Sequence, residues 1–144
     1  MFDAIGWIAF FCKISNGVLP ASFVYEDEKV FGIMSLDQPN PYKVLVVPRL
    51  HSETIYDLPA AEAALIFQAT VEIAWAVHDA SACKGLNLVQ SNGTLAGREV
   101  SHFHLHIVPR LEGDKIVLQW PAERRSRDAL NPMAETIRSK MEER

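Results

Sequence analysis

Apolar positions along the chain repeat with two different periods, and these periods predict both helices and strands. The apolar run over residues 1–11 predicts a short amphipathic helix that ends near residues 15–17, where Asn-Gly favours a turn. Residues 22–25 and 29–34 have the pattern of two antiparallel strands joined by a polar loop. Residues 44–47 are apolar on both faces and rich in β-branched side chains, which is typical of a central, buried strand.

The longest periodic segment predicts a helix that begins at Asp57, with Pro59 in its first turn, and runs to about Ala82. Gly85 is the predicted stop of this helix. The positions that recur at helical spacing, and that we expect to face a core, are Leu65, Ile66, Ala69, Ile73 and Val77.

The second half of the chain adds two more strands and a tail. Residues 86–90 alternate as a strand, residues 91–97 form a glycine-containing loop, and residues 102–108 form a strand that Pro109 ends. A helix is expected towards Arg144 at the end of the tail. Because several strands are linked as hairpins, we predict an α+β fold: one domain over residues 1–144, with an antiparallel sheet of about five strands and one long helix between a short N-terminal and a C-terminal helix.

Composition narrows the class of protein. The chain has 144 residues, 49% of them hydrophobic and 22% charged, which suits one globular domain with a sizeable core. The net charge of −4 argues against broad nucleic-acid binding. Two cysteines fit a reducing compartment, and the N-terminal apolar run lacks a basic flank and is too short to span a bilayer, so we expect a cytoplasmic protein with no membrane partner.

Three of the five histidines fall within five residues of one predicted strand. Because strand side chains alternate, His102, His104 and His106 are expected on one face, at spacings of roughly 6.6 Å, with the intervening apolar residues facing the core. A half-exposed strand normally carries Thr, Lys or Glu at such positions. The pattern therefore indicates a functional surface.

Two chemistries fit three aligned imidazoles. They could coordinate a metal ion, as in open zinc sites, or one could act as a nucleophile while the others manage charge and protons. The preceding segment, residues 91–98, offers hydroxyl, amide and guanidinium donors and no carboxylate, which suits a phosphate oxygen. The donors of this adjacent segment favour phosphoryl transfer over metal binding, because phosphoryl transfer requires positive charge around the non-bridging oxygens.

These motifs resemble the histidine triad (HIT) family of nucleotide-binding proteins. The strand His-Phe-His-Leu-His-Ile-Val at residues 102–108 is similar to the family signature. Phe-Cys-Lys-Ile at residues 11–14, Leu-Val-Val-Pro-Arg-Leu-His at residues 45–51 and the glycines at residues 93 and 97 match other family segments in the same order. The likeness covers about residues 10–112 and leaves residues 113–144 as a C-terminal extension.

The resemblance implies a HIT-like homodimer that binds a purine nucleoside phosphate and needs no cofactor. His104 would attack the α-phosphorus and form a nucleotidyl-histidine intermediate that water hydrolyses, while His102 and His106 orient its ring and contact the phosphate. Leaving groups in the family include an amine, as in phosphoramidates, and a nucleotide, as in dinucleoside polyphosphates. The implied phosphate-binding residues are Ser91, Asn92, Gly97, Arg98 and Glu99. The implied nucleoside-binding residues are Phe10, Phe11, Ile14, Ile33, Ser35 and Leu36.

The chain departs from the family pattern at several of these positions. Arg98 stands where Gln is usual, and it donates to phosphate with a different geometry. Glu99 stands where Ser or Thr is frequent, so its carboxylate would repel an anionic leaving group or serve as an acid. Ser91 replaces an Asn at the start of the loop. Ser35 replaces the ribose-binding Asp or Asn, for which Asp37 is a possible substitute.

Some bacterial relatives hold a structural zinc ion, and this chain has only part of that ligand set. Cys12, His51 and His102 are present, but Ala9 occupies the position of the remaining cysteine. Three protein ligands are one short of a closed structural site, so we predict no metal. Two alternatives to the enzyme stay open: a metalloprotein that uses the three histidines of the strand, and a non-catalytic nucleotide-binding scaffold.

Overall fold

The computed structural model describes residues 4–144, with side chains from residue 10 onward, and this part of the chain forms three α-helices and five β-strands. In chain order they are α1 (Ala4–Ser15), β1 (Phe23–Glu26), β2 (Val30–Met34), β3 (Val44–Pro48), α2 (Ala60–Ser81), β4 (Gly85–Val89), β5 (Leu105–Arg110) and α3 (Arg127–Glu142). The predicted α+β class is confirmed. The apolar side chains expected on the first turns of α1 lie outside the described residues.

The five strands form one antiparallel sheet in the order β1-β2-β3-β5-β4. β3 lies in the middle and pairs with β2 over its whole length, from Val44 opposite Met34 to Pro48 opposite Val30. On its other side Leu45 pairs with His106 of β5. The prediction of a central, buried strand is confirmed, because four of the five residues of β3 are buried.

The two faces of the sheet are covered by different helices. One face packs against α2 in a core of buried residues: Val30, Val44, Val46, Ile66, Ala69, Ile73, Val77, Phe103, Leu105 and Ile107. The other face packs against α1 in a smaller core: Phe11, Ile14, Phe31, Ile33, Val47 and Val100. This division follows from strand alternation, because neighbouring residues of β3 and β5 point to opposite faces.

Gly32 of β2 permits the close packing of α2 on the sheet. A Cβ atom at this position would lie 2.8 Å from Cδ1 of Ile73, which is closer than carbon atoms normally approach. A larger residue at position 32 would therefore require the side chain of Ile73 to move within the main core.

The predicted end of the long helix near Ala82 is confirmed, but the predicted start at Asp57 and the predicted stop residue Gly85 were wrong. Asp57 does not cap α2; its carboxylate accepts hydrogen bonds from the main-chain N–H groups of Glu53 and Thr54 at 2.9 and 2.8 Å, so it closes the preceding turn. α2 ends at Ser81, where Ala82 adopts a left-handed conformation (φ 54°), and Gly85 is instead the first residue of β4.

The predicted boundaries of the histidine strand were also wrong. β5 begins only at Leu105, because the N–H groups of His102 and Phe103 bond to the carbonyls of Val100 and Ser52 and not to a neighbouring strand. Pro109 lies inside β5 and does not end it. The ladder with β3 stops at the Val44–Ile107 pair, so the missing N–H of Pro109 falls where β5 has lost that neighbour.

α2 carries an apolar stripe on the side that faces away from the sheet. Phe67, Val71 and Trp75, spaced by four residues, are more than half exposed, and Leu65, expected in the core, is 36% exposed. By length and composition alone, α2 could cross a membrane, with a mean hydropathy of 1.4 over its best window. Core helices of soluble proteins pass the same test, and the opposite side of α2 forms the main core of this fold.

The C-terminal extension lies on the outside of the described structure. α3 begins at the N-cap Ser126, whose hydroxyl accepts the N–H of Ala129 at 3.2 Å, and none of its residues is buried. Apolar side chains at Met133, Ile137 and Met141 are more than half exposed. The extension therefore adds little to either core.

Candidate active site

A cavity of about 800 Å³ opens on the α1 side of the sheet, between the C-terminal half of α1 and the loop over residues 91–100. Its volume lies within the range of about 300–1,000 Å³ that is usual for small-molecule sites. His104 and His106 line one wall, and apolar residues of α1 and β2 line another. The cavity therefore has one polar wall and one apolar wall.

His104 has a defined tautomer because its Nδ1 atom lies 2.7 Å from the main-chain carbonyl oxygen of His102. A carbonyl only accepts, so Nδ1 carries the proton and Nε2 keeps a lone pair. Burial lowers the pKa of His104 below its usual value, and the positive charges of Lys43 and Arg98 lower it further. His104 is therefore a neutral imidazole with a free Nε2 at the cavity wall.

His106 lies beside His104, with the two ring centroids 4.8 Å apart. Burial lowers the pKa of His106 to about 4, and the neighbouring His104 and Lys43 contribute in the same direction. At neutral pH both rings are uncharged, so each can accept a proton during a reaction.

The side chain of His102 does not join this pair. Its ring is fully buried beneath α1, with its edge on Phe11, and Nε2 lies 2.8 Å from the carbonyl oxygen of Pro48. The structure does not bring this ring to the phosphate contact expected for it, because the ring is not part of the cavity wall. His102 still orients His104, but it does so through its main-chain carbonyl.

The ring of His102 belongs to a cluster with Cys12 and His51. The two Nδ1 atoms lie 3.0 Å apart, and each lies 3.7 Å from Sγ of Cys12. Among the described residues, Cys12, His51 and His102 are the three potential metal ligands that lie close enough to bind one ion. Because the ring of His102 belongs to this cluster, the alternative in which His102, His104 and His106 bind one metal is wrong. Burial also lowers the pKa of His102 to about 4, so at neutral pH its Nδ1 carries a lone pair that faces His51 and Cys12.

The donor atoms of this cluster have the spacing of zinc ligands, but they are three where a closed zinc site has four. Tetrahedral zinc places ligand atoms about 3.3–3.6 Å apart, close to the observed separations. Cys12, His51 and His102 could therefore hold three corners of a zinc site. The fourth corner lacks a protein ligand in the described residues, so the set fits an open site and not a closed structural one.

The loop over residues 91–100 places only part of its predicted donors in the cavity. Ser91, Gly97, Arg98 and Glu99 line it. Asn92 does not: its amide exchanges hydrogen bonds with the side chain of Gln90 at 2.7 and 2.9 Å and accepts the N–H of Ile55. The structure therefore does not bring the side chain of Asn92 to the predicted phosphate contact, because its polar atoms hold the loop together.

Arg98 and Glu99 differ in how they meet the cavity. The guanidinium of Arg98 is largely buried and donates to the carboxylate of Glu53 at 3.3 Å, which also accepts from the hydroxyl of Ser101. Glu99 is exposed at the rim, and its negative charge raises the pKa of His104. One cation and one anion thus act on the same imidazole from neighbouring positions.

The residues expected to hold a nucleoside all border the cavity. Phe11, Ile14 and Ile33 are also buried in the smaller core, so they both support the fold and form the wall. Ser35 is buried, whereas Leu36 is 91% exposed and lies at the mouth. Asp37, the possible ribose contact, lines the cavity as well.

Sequence reasoning missed Lys43, which lines the cavity directly before β3. Strand alternation is the signal that was available: Lys43 lies two residues before Leu45, which pairs with His106, so both point to the α1 side. Burial lowers the pKa of Lys43, against the effect of the carboxylates of Asp37 and Glu99. Lys43 adds a second cation to the site.

Comparisons with family models and with known proteins identify the same family for this chain. A family model described as the HIT domain matches residues 16–113. The chain is 39% identical over 111 residues to the Bacillus subtilis protein named hit, covering 76% of this chain and 77% of that protein. It is 32% identical to an adenylylsulfatase of Arabidopsis thaliana, covering 83% of this chain and 59% of that protein.

More distant relatives and solved structures agree. An adenosine 5'-monophosphoramidase of Saccharomyces cerevisiae is 26% identical, covering 92% of this chain and 82% of that protein. The crystal structure of a HIT family protein from Bacillus anthracis superposes with a TM-score of 0.86 at 35% identity, covering 90% of this chain and 94% of that one.

Proposed function

Because the chain belongs to the histidine triad (HIT) family, we propose that it is a nucleotide hydrolase or nucleotidyl transferase that cleaves at the α-phosphate of a purine nucleoside phosphate derivative. The observation that carries this proposal is the neutral His104, whose free Nε2 lies at the wall of a nucleotide-sized cavity. Relatives named as an adenylylsulfatase and an adenosine 5'-monophosphoramidase support hydrolysis of small nucleotides.

In the proposed reaction, the Nε2 lone pair of His104 attacks the α-phosphorus. The bond from phosphorus to the leaving group breaks, and the leaving group departs with its electron pair. Water then attacks the nucleotidyl-histidine, the P–N bond breaks, and the nucleoside monophosphate leaves while His104 regains its lone pair. The hydrogen bond from Nδ1 to the carbonyl of His102 holds the ring in place and offsets the positive charge that the ring acquires.

The other polar groups of the cavity have distinct roles in this proposal. His106 contacts the phosphate and accepts a proton from the attacking water, because it is uncharged at neutral pH. The guanidinium of Arg98 binds the non-bridging oxygens, and Ser91 donates its hydroxyl. The nucleobase lies between the apolar residues of α1 and β2, and Ser35 or Asp37 contacts the ribose.

We further propose a homodimer in which the exposed stripe of α2 is covered by a second copy. Phe67, Val71 and Trp75 lie on one side of a helix that has no lysine or arginine, and such stripes are costly to leave in water. A two-fold axis would place the same stripe against itself, as in most homodimers.

The alternative of a nucleotide-binding scaffold rests on Glu99, whose carboxylate stands at the rim where an anionic leaving group would depart. Under this alternative the protein binds AMP without releasing product from any adenylyl substrate. Turnover experiments separate the two functions directly.

The test of the enzyme is single-turnover reaction with adenosine 5'-phosphoramidate, adenylyl sulfate and diadenosine polyphosphates, followed by intact-protein mass spectrometry. We expect AMP release and an acid-labile adenylyl adduct on His104. His104→Ala should remove the adduct and lower turnover by about 10³-fold or more. Equal activity of wild type and variant, or tight AMP binding without product, would refute the proposed function.

A further inference from the structure

Lys43 brings a positive charge into the cavity that no carboxylate in the described side chains neutralises by direct contact. Its ammonium is half-buried on the same side of the sheet as His106, and none of the ion pairs among residues 10–144 includes it. Asp37 and Glu99 act on it only through longer-range attraction. An ammonium partly withdrawn from water without a paired anion is an arrangement that a bound anion would stabilise.

The main chain at Lys43 is fixed before any ligand binds. The side chain of Gln38 accepts the N–H of Lys43 at 2.9 Å and donates to its carbonyl oxygen at 2.8 Å. The same amide also donates to the carbonyl of Ser35 at 2.7 Å, which ties the two ends of the loop together. Only the flexible side chain of Lys43 therefore has to become ordered when it meets an anion.

The two cations of the cavity are not equivalent. Arg98 comes from the loop beside the histidines and is already paired with Glu53. Lys43 comes from the start of β3, next to the segment that contains Ser35 and Asp37. Among the described side chains that line the cavity, Lys43 therefore supplies the unpaired positive charge that can attract a substrate anion beyond the group that Arg98 binds.

The possible leaving groups differ in what they require from the protein. A sulfate or phosphate leaves with additional negative charge and needs no proton at neutral pH, so a nearby cation stabilises its departure. An amine leaving group must take up a proton when the P–N bond of a phosphoramidate breaks, and it gains nothing from a fixed cation. The intact substrates differ too, because those with a sulfate or phosphate leaving group carry at least one more negative charge than the phosphoramidate.

We propose that Lys43 makes this cavity selective for nucleoside phosphates whose leaving group is an oxyanion, a sulfate or a phosphate, over phosphoramidates. This inference rests on the proposed function, and it assigns to Lys43 a role that the histidines and the loop do not supply. In the step concerned, Nε2 of His104 forms the bond to the α-phosphorus and the P–O bond to the leaving group breaks. The oxyanion departs with the electron pair beside the ammonium of Lys43, and no proton is transferred to it.

The test compares kcat/KM for adenylyl sulfate and adenosine 5'-phosphoramidate in wild type, Lys43→Gln and Lys43→Arg. We expect Lys43→Gln to lower the ratio of the two values, sulfate over phosphoramidate, by about tenfold or more, and Lys43→Arg to keep most of it. Lys29→Gln is the matched control, because Lys29 pairs with Glu62 outside the cavity, and its ratio should equal that of wild type.

Two results of this comparison would overturn the inference while the enzyme stands. An unchanged ratio in Lys43→Gln would mean that Lys43 acts on both substrates alike. A larger loss with the phosphoramidate would mean that Lys43 supplies a proton to the amine.

Calorimetric binding of ADP and AMP to His104→Ala, which lacks the proposed nucleophile, decides the same point without turnover. This variant should bind ADP more tightly than AMP because of the additional phosphate, and adding Lys43→Gln should remove the difference. Equal affinities of His104→Ala for the two nucleotides would overturn the role of Lys43 even if the wild type hydrolyses its substrates. The absence of any nucleotide binding would overturn the proposed function and this inference together.

Discussion

Nδ1 of His104 donates a hydrogen bond to the main-chain carbonyl of His102 at 2.7 Å, while the ring of His102 turns away to the carbonyl of Pro48. Two histidines separated by one residue thus use opposite nitrogens to donate. His104 carries its proton on Nδ1, and His102 carries its proton on Nε2. The backbone of one histidine orients the other, and its side chain serves a different site.

This relationship predicts opposite tautomers that NMR can observe. Long-range ¹H–¹⁵N correlation spectra of the ligand-free protein at neutral pH should show His104 as the Nδ1–H tautomer and His102 as the Nε2–H tautomer. Both rings should be neutral, because burial lowers both pKa values. His104→Gln identifies one set of signals. An Nε2–H tautomer at His104 would contradict the assignment of Nε2 as the nucleophile.

Stability should rise with pH between about 4 and 6.5, and His106 should account for part of this dependence. Its pKa is about 4 in the folded protein and near 6.5 in the unfolded chain, so in this window the unfolded state binds the additional proton. The contribution is complete above pH 6.5 and is lost as the pH falls towards 4. We expect urea unfolding to give a free-energy change of about 1–3 kcal/mol over this range from His106, allowing for its partial exposure.

The control for this prediction is His106→Gln, which keeps the size and polarity of the side chain but does not titrate. Its unfolding free energy should depend less steeply on pH between 4 and 6.5 than that of wild type. The same slope in both proteins would show that other groups cause the dependence.

Glu99→Ser should increase turnover of substrates with anionic leaving groups. The Glu99 carboxylate lies at the rim of the cavity and repels such a group, whereas serine offers a hydroxyl donor. We expect kcat/KM for adenylyl sulfate to rise about threefold to tenfold at low ionic strength, with a smaller rise in high salt because the rim is solvated. Glu112→Ser, outside the cavity wall, is the control. A fall in activity would instead indicate that Glu99 acts as an acid.

Trp75→Glu should convert the proposed dimer to a monomer. A carboxylate in the middle of the α2 stripe would face the same charge across the two-fold axis, at a cost of several kcal/mol per interface. Sedimentation equilibrium of wild type should give a mass near 32 kDa, twice the 16.1 kDa of the chain. Trp120→Glu, which alters an exposed tryptophan of the tail, should keep the wild-type mass. A monomeric wild type would refute the dimer.

Stoichiometric zinc should be absent from the wild type and present in Ala9→Cys. Position 9 is one helical turn before Cys12 in α1, so a cysteine there would add a thiolate on the same side of the helix as the existing cluster. Elemental analysis after growth in zinc-supplemented medium is the measurement. One zinc ion per wild-type chain would contradict the prediction, and it would show that three ligands and a water molecule suffice.

The spacing of apolar residues was sufficient to predict those helices and strands whose own sequence shows which residues are buried. β3 and the inner side of α2 were predicted because apolar runs and helical spacing report burial directly. The start of this helix was missed because Asp57 closes a turn with residues before it. Its end was predicted correctly, but the stop residue is Ala82, which adopts the left-handed conformation that glycine more often supplies, and not Gly85.

The candidate site was predicted less completely, because some of its side chains are placed by contacts distant in sequence. The ring of His102 is held by Pro48 and faces His51 and Cys12, which are 51 and 90 residues away. Strand alternation gives the side of the sheet but not the direction of the ring. Lys43 was missed because it lies between an irregular loop, which ends at Tyr42 with a positive φ of 76°, and the first residue of β3. The side of the sheet on which its side chain lies depends on where β3 begins.

The two faces of the sheet should differ in how well they tolerate substitutions, because one carries the main core and the other carries the cavity. On the α2 side a change at Gly32 or Ile73 disturbs the main core, so variants there are expected to lose folded protein before they alter the reaction. On the α1 side Leu36, Lys43 and Glu99 border the cavity without belonging to either core cluster. Libraries for new leaving-group preference should therefore be restricted to these three positions, where most members are expected to remain folded.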